Sequence, residues 1–102
     1  MKNLDSTGTQ IRKLREKANM PLRKLASALD IDQSTLSKIE RNERKPNQQM
    51  IEKIAEIFKA NKNELLVSFY SDIVVYKIRD VNLFSEILQV AEAKIKYKNS
   101  EK

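Results

Sequence analysis

Apolar side chains recur three and four positions apart along most of this chain, the period of helices that each bury one face. Ile11, Leu14 and Ala18 form the first stripe and predict a helix from Thr9 to about Asn19. Leu22, Leu25, Ala26 and Leu29 form the second, with Pro21 in its first turn, where the missing N–H costs no hydrogen bond. The segment "LDID" then breaks the pattern. Asp30 tolerates a left-handed turn conformation better than most non-glycine residues, and Asp32 is a good N-cap for a helix starting after it. A third helix runs from Gln33 to about Arg41, anchored by Leu36 and Ile39, with Asn42 as a left-handed residue beyond its end. Pro46 prevents any helix from crossing the basic loop "ERKP".

Three more helices come after this loop. Asn47 caps a fourth, with Met50, Ile51, Ile54, Ala55 and Phe58 facing inward. "NKNE" has the form of a capping box, with Asn61 as cap and Glu64 three residues on. It opens a fifth helix carrying Leu65, Leu66, Phe69, Tyr70 and Ile73. The β-branched run "DIVVY" could be a short strand. The spacing of Leu66, Phe69, Tyr70, Ile73 and Tyr76 favours continued helix. Asp80 or Asn82 caps a sixth, with Leu83, Phe84, Ile87, Leu88, Ala91 and Ile95 inward. Residues 1–8 and the tail "KYKNSEK" read as frayed ends.

Composition agrees with an all-helical chain: Gly8 is the only glycine, and Pro21 and Pro46 are the only prolines. At 102 residues there is room for one small domain with a modest core and an appendage. The chain has no cysteine and no histidine, which removes disulfides, thiol nucleophiles, imidazole acid–base chemistry and the usual zinc sites. No glycine-rich phosphate loop, metal-ligand cluster or nucleophile–base constellation stands in the sequence, so no enzyme, metal, cofactor or small-molecule ligand is expected. No apolar run reaches membrane-spanning length and the N-terminus has no signal-peptide core, so the expected location is cytoplasmic, away from membranes.

Charge changes the picture. The net charge is +6. Residues 1–46 carry 11 Lys/Arg against 6 Asp/Glu, whereas residues 47–102 carry 9 against 8. A basic first half suits a polyanion, with nucleic acid the leading candidate, or a solubilising surface; charge alone does not separate them.

The third helix does separate them. Opposite Leu36 and Ile39 it carries Gln33, Ser34, Ser37 and Lys38, all small or polar. A second helix, a tight turn and a polar third helix make a helix-turn-helix. "IRKLREKANMPLRKLASALDIDQSTLSKIERNERKPN" resembles that of the Cro/C1-type (Xre) repressor family, most clearly in the "LR" of the first helix, the "LA" of the second and "STLSKIER" of the third, over roughly residues 9–66. That family contains phage repressors, restriction–modification controller proteins and antitoxins. The resemblance implies an all-α, five-helix, lambda-repressor-like domain over residues 1–66 with a C-terminal helical extension over 67–102.

It further implies a transcriptional regulator, most simply a repressor, that binds double-stranded palindromic operator DNA as a homodimer. Gln33, Ser34, Ser37 and Lys38 match the base-contacting positions, and their chemistry suits a major groove about 12 Å wide. Arg23, Lys24, Arg41, Arg44 and Lys45 are candidates for phosphate contacts. Arg15 and Glu40 match a family ion pair that fixes the third helix against the first. Three positions depart from the pattern. Leu22 stands where a phosphate-binding glutamine is common, and Asp30 and Asn42 replace the usual glycines. Residues 67–98 carry more apolar surface than a small domain covers easily, and Phe69, Tyr70, Ile73, Tyr76, Phe84 and Leu88 are the expected dimer interface; packing back on the first and fifth helices is the alternative use. A second functional reading is an antitoxin-type module that holds a protein partner and binds DNA only secondarily.

Overall fold

In the structure, a computed structural model, residues 3–101 are described; Met1, Lys2 and Lys102, which belong to the ends expected to fray, lie outside the described residues. Among the described residues six helices run in order: α1 Thr7–Lys17, α2 Leu22–Ala28, α3 Gln33–Glu40, α4 Gln48–Phe58, α5 Lys62–Ile78 and α6 Phe84–Ser100. No strand occurs among the described residues, and "DIVVY" is helical throughout.

The helices start and stop where short polar residues permit. Asp32, Asn47 and Asn61 each accept a backbone N–H three residues on, from Thr35 at 2.8 Å, Met50 at 2.8 Å and Glu64 at 3.0 Å. Each bond satisfies one of the orphan donors of a helix start. Asn19, Asp30, Asn42 and Lys59 have positive φ of 54°, 57°, 62° and 53°. Asp30 and Asn42 are the two expected left-handed residues. Three of the four are Asn or Asp, the non-glycine residues that enter this region at least cost. This explains how a chain with a single glycine can end so many helices. Pro21 is the N-cap of α2, at φ −66° and ψ 151°, and stands one residue before its first turn rather than in it.

Two compact units divide the chain, one reaching to Asp72 and one beginning at Ile73. In the first unit Ile11, Leu25, Leu36, Ile39, Ile51 and Ile54 are essentially inaccessible, and Leu65 and Phe69, one turn apart, are also buried. Each such side chain contributes about 1.5–3 kcal/mol of transfer free energy. Phe69 is therefore a core residue of this unit and is removed from the expected dimer interface. The boundary lies beyond the expected residue 66 because Ser68, Phe69 and Asp72 all take part in the first unit's bonding and core.

The start of α1 differs from expectation for the same reason. The helix begins at Thr7, and Thr7 and Gly8 are buried rather than frayed. Thr7 N–H donates to the Asp72 carboxylate at 2.8 Å, the Thr7 and Ser68 hydroxyls pair at 2.9 Å, and the Gln10 amide donates to Ser68 Oγ at 2.7 Å. Partners some sixty residues away supply what Ser6, the local N-cap, does not.

In the second unit, α6 has no buried residue. The stripe expected to face inward, Leu83, Phe84, Ile87, Leu88, Ala91 and Ile95, is exposed throughout. Neither Asp80 nor Asn82 caps the helix; Leu83 does so at φ −89° and ψ 21°, a backbone already turning into the helix, without a side-chain cap bond. The tail "KYKNSEK" continues helically through Ser100. A Glu92–Lys96 pair at 3.6 Å and a Ser100 hydroxyl donating to Tyr97 O at 2.8 Å support the last turns.

Candidate nucleic-acid interface

α2 and α3 are joined by the four residues Leu29–Asp32. Leu25, Ala26 and Leu29 are buried on one side of the junction and Leu36 and Ile39 on the other. Between them the left-handed Asp30 lets Asp30 N–H reach Ser27 O at 3.1 Å and Ile31 N–H reach Ala26 O at 3.0 Å. These two bonds close the end of α2 in a Schellman-type motif and set the chain up for Asp32 to start α3.

α3 is held to α1 at two points. At its C-terminal end Arg15 Nε and Nη2 donate to Glu40 Oε2 and Oε1 at 2.8 and 2.9 Å, a two-toothed pair, and Arg15 Nη1 donates to Met20 O at 3.0 Å. The side chains are 15% and 4% exposed. Glu40 is thus almost wholly removed from water, and its hydrogen bond raises the Arg15 pKa above the ordinary arginine value, against the opposing effect of desolvation. The second point is Asn42. Its amide oxygen accepts Gly8 N–H at 3.0 Å and its amide nitrogen donates to Thr9 Oγ1 at 3.0 Å. A Cβ on Gly8 would overlap the Ile39 carbonyl oxygen and lie 2.5 Å from Asn42 Oδ1. Gly8 is there for space, since its φ is not positive. The family resemblance singles out Arg15 and Glu40, and nothing in the sequence singles out Gly8. A lone glycine in a polar N-terminal stretch gives no sign of a partner 34 residues away.

The outward side of α3 carries Gln33, Ser34 and Lys38, all exposed, and Ser37, half-buried. At 100° per residue these four span about 140° of the helix circumference. No aliphatic or aromatic side chain interrupts them. The Ser34 hydroxyl donates to Asp32 Oδ1 at 3.0 Å, the same oxygen that receives Thr35 N–H. The Thr35 side chain first, then the Thr35 N–H, the Ser34 hydroxyl and the charge of Arg44, hold the Asp32 carboxyl below its ordinary value. Asp32 therefore belongs to this surface as an anion, a role beyond capping that its sequence position does not announce.

Of the basic residues, Arg23, Lys24, Arg41, Arg44 and Lys45 are all exposed. Arg41 is folded back on its own helix end, with Nε 3.3 Å from Ser37 O and 3.4 Å from the Glu43 carboxylate. The other expected interface residues are on α5 and α6. Tyr70 is half-exposed and its hydroxyl donates to Gln48 Oε1; Ile73 is half-buried; Tyr76, Phe84 and Leu88 are exposed. Among the described residues, no helix is long and apolar enough to cross a membrane.

The helix-turn-helix family model matches residues 11–65 of the chain, from the middle of α1 to the start of α5. Three similar solved structures share its fold. The clp gene regulator ClgR from C. glutamicum is 21% identical, with TM-score 0.54 over 65% of this chain and 86% of its own. A hypothetical protein from E. coli is 18% identical, with TM-score 0.62 over 91% of this chain and 99% of its own. The SinR protein/SinI protein complex contributes a chain 22% identical, with TM-score 0.54 over 92% of this chain and 98% of its own. No curated protein matches the chain.

Proposed function

Because the chain belongs to the Cro/C1-type (Xre) helix-turn-helix family of DNA-binding regulators, we propose that it represses transcription by binding a palindromic operator as a homodimer, with α3 in the major groove. The observation that carries this reading is the outward face of α3: four small or polar side chains on a helix pinned at its C-terminal end by a buried ion pair. Gln33 has the amide geometry to bond adenine N6 and N7 together, and Lys38 reaches guanine O6 and N7. Ser34 and Ser37 are short enough to let the helix approach the bases. The exposed Arg23, Lys24, Arg44 and Lys45 serve as phosphate ligands, joined by Arg41 once it leaves Glu43.

A two-fold operator calls for a two-fold protein, with half-sites about one helical turn apart. Tyr70, Ile73, Tyr76, Phe84 and Leu88 are the apolar side chains offered to the second copy. Exposures of 56% for Phe84 and of 57% for Tyr76, whose ring carries the Arg79 guanidinium 4.9 Å from its centre, support that use. The protein acts where the DNA is, in the cytoplasm. The solved SinR protein is in complex with the SinI protein, and a partner of a different sequence is the second reading of the same side chains. Sedimentation of the purified chain separates the two: a dimer at micromolar concentration supports the first, a monomer the second.

Phosphate binding makes a direct prediction. Arg44→Ala together with Lys45→Ala weakens binding to all duplexes by a similar factor and lowers the slope of log K against log salt by about one for each phosphate no longer neutralised. An unchanged slope in a binding titration across salt concentrations removes the loop after α3 from the interface.

A further inference from the structure

We propose that Asp32 is a positioning residue for Ser34, and that the pair reads an exocyclic amino group in the major groove, N4 of cytosine or N6 of adenine, while rejecting the keto edges of thymine and guanine. The proposal rests on the reading of α3 as the DNA-reading helix and adds a base class to one of its contacts.

A serine hydroxyl is ordinarily a poor discriminator, because it rotates to donate or accept as its partner requires. Here that freedom is removed. A carboxylate oxygen only accepts, so the 3.0 Å contact between Ser34 Oγ and Asp32 Oδ1 is Ser34 donating its single proton. Asp32 Oδ1 is itself fixed by Thr35 N–H at 2.8 Å, so the capping bond of α3 sets where the hydroxyl proton goes. What Ser34 still presents outward is lone pairs. The carboxylate beside it is also acceptor-only, and Ser34 and Asp32 are both exposed. At Ser34 and Asp32 themselves α3 thus offers acceptors, while the Thr35 hydroxyl proton is engaged by Asp32. The only major-groove donors on unmodified bases are the amino groups of cytosine and adenine. A keto oxygen placed there meets lone pair against lone pair. Gln33 and Lys38 on the same face carry donors, so the acceptor character is confined to Ser34 and Asp32.

The test uses the full chain and the duplex it selects from a random pool. In derivatives of that duplex, single adenines are replaced by purine, or single cytosines by 2-pyrimidinone; each replacement removes only the exocyclic amino group. At one symmetric pair of positions the removal weakens wild-type binding about two- to tenfold, the effect of one hydrogen bond, and leaves Ser34→Ala binding unchanged. Asp32→Ser keeps an N-cap oxygen for Thr35 N–H but is too short to hold Ser34. The freed Ser34 hydroxyl then donates as well as accepts, and the preference for amino over keto bases at that pair shrinks toward equality. Asp32→Asn keeps an oxygen for both bonds and retains the preference. Thermal melts confirm that the variants fold. The proposal is overturned if the Ser34-dependent positions hold thymine or guanine, or if Asp32→Ser keeps the wild-type preference. It also fails if Ser34→Ala leaves the profile intact while Gln33→Ala alters it, in which case α3 remains the reading helix. A wild-type chain that selects no duplex overturns both this proposal and the reading it rests on.

Discussion

Arg15→Ala lowers the stability of the folded chain by about 3 kcal/mol, because it leaves Glu40 buried without its partner. For a domain of this size that is a fall in melting temperature of about 12–24 °C. The magnitude comes from burial. Exposed pairs such as Arg12–Glu16, at 3.8 Å with both side chains about half exposed, contribute less than about 1 kcal/mol. In the pair at Glu40 the carboxylate is 4% exposed and both of its oxygens are bonded to Arg15. The asymmetry of buried pairs supplies the control. Replacing both partners together, Arg15→Met with Glu40→Leu, costs far less than Arg15→Ala alone, since no charge is then stranded. In a double-mutant cycle of Arg15→Ala with Glu40→Gln, simple additivity would refute the coupling. What the pair contributes to function is arrangement: it ties the end of α3 to α1, so the outward face keeps one orientation.

Gly8→Ala is expected to destabilise the protein by about 3 kcal/mol, the upper part of the range for overpacking. Helix propensity predicts the opposite sign, since alanine is favoured over glycine in a helix by about 1 kcal/mol. Sterics decide here because the obstructing atom is the Ile39 backbone carbonyl oxygen, which cannot rotate away as a side-chain tip could. Relief requires α1 and the end of α3 to move apart. That lengthens the bonds from Asn42 to Gly8 and Thr9 and loosens the reading helix. Chemical denaturation of wild type and variant measures the difference, and a variant more stable than wild type contradicts the close approach.

The features legible in the sequence are those settled within a few residues. Asp32, Asn47 and Asn61 cap helices because each sits three residues before the N–H it accepts. Asp30 and Asn42 turn left-handed because few other residues do so cheaply. The polar face of α3 is visible because Leu36 and Ile39 fix the helix's rotation. What stays hidden depends on distant partners. Thr7 and Gly8 look like a frayed start until Asp72, Ser68 and Asn42 are brought to them. Phe69 and Tyr70 are neighbouring aromatics, yet one is core and the other half-exposed, because only Phe69 shares a face with Leu65. The stripe on α6 has helical spacing, but spacing does not state whether the covering surface belongs to the same chain. The left-handed Lys59 carries no local signal at all.

The central claim, that the outward face of α3 reads DNA sequence, is tested most directly by a base-by-base binding profile of wild type, Gln33→Ala and Lys38→Ala on the selected operator. Both residues are exposed and neither has a core partner, so folding stays intact. Each variant is predicted to lose discrimination worth about 1–3 kcal/mol at one symmetric pair of operator positions. Affinity for unrelated duplexes should change little for Gln33→Ala, and fall modestly for Lys38→Ala with the loss of its charge. If both variants return the wild-type profile at every position, α3 is not the reading element.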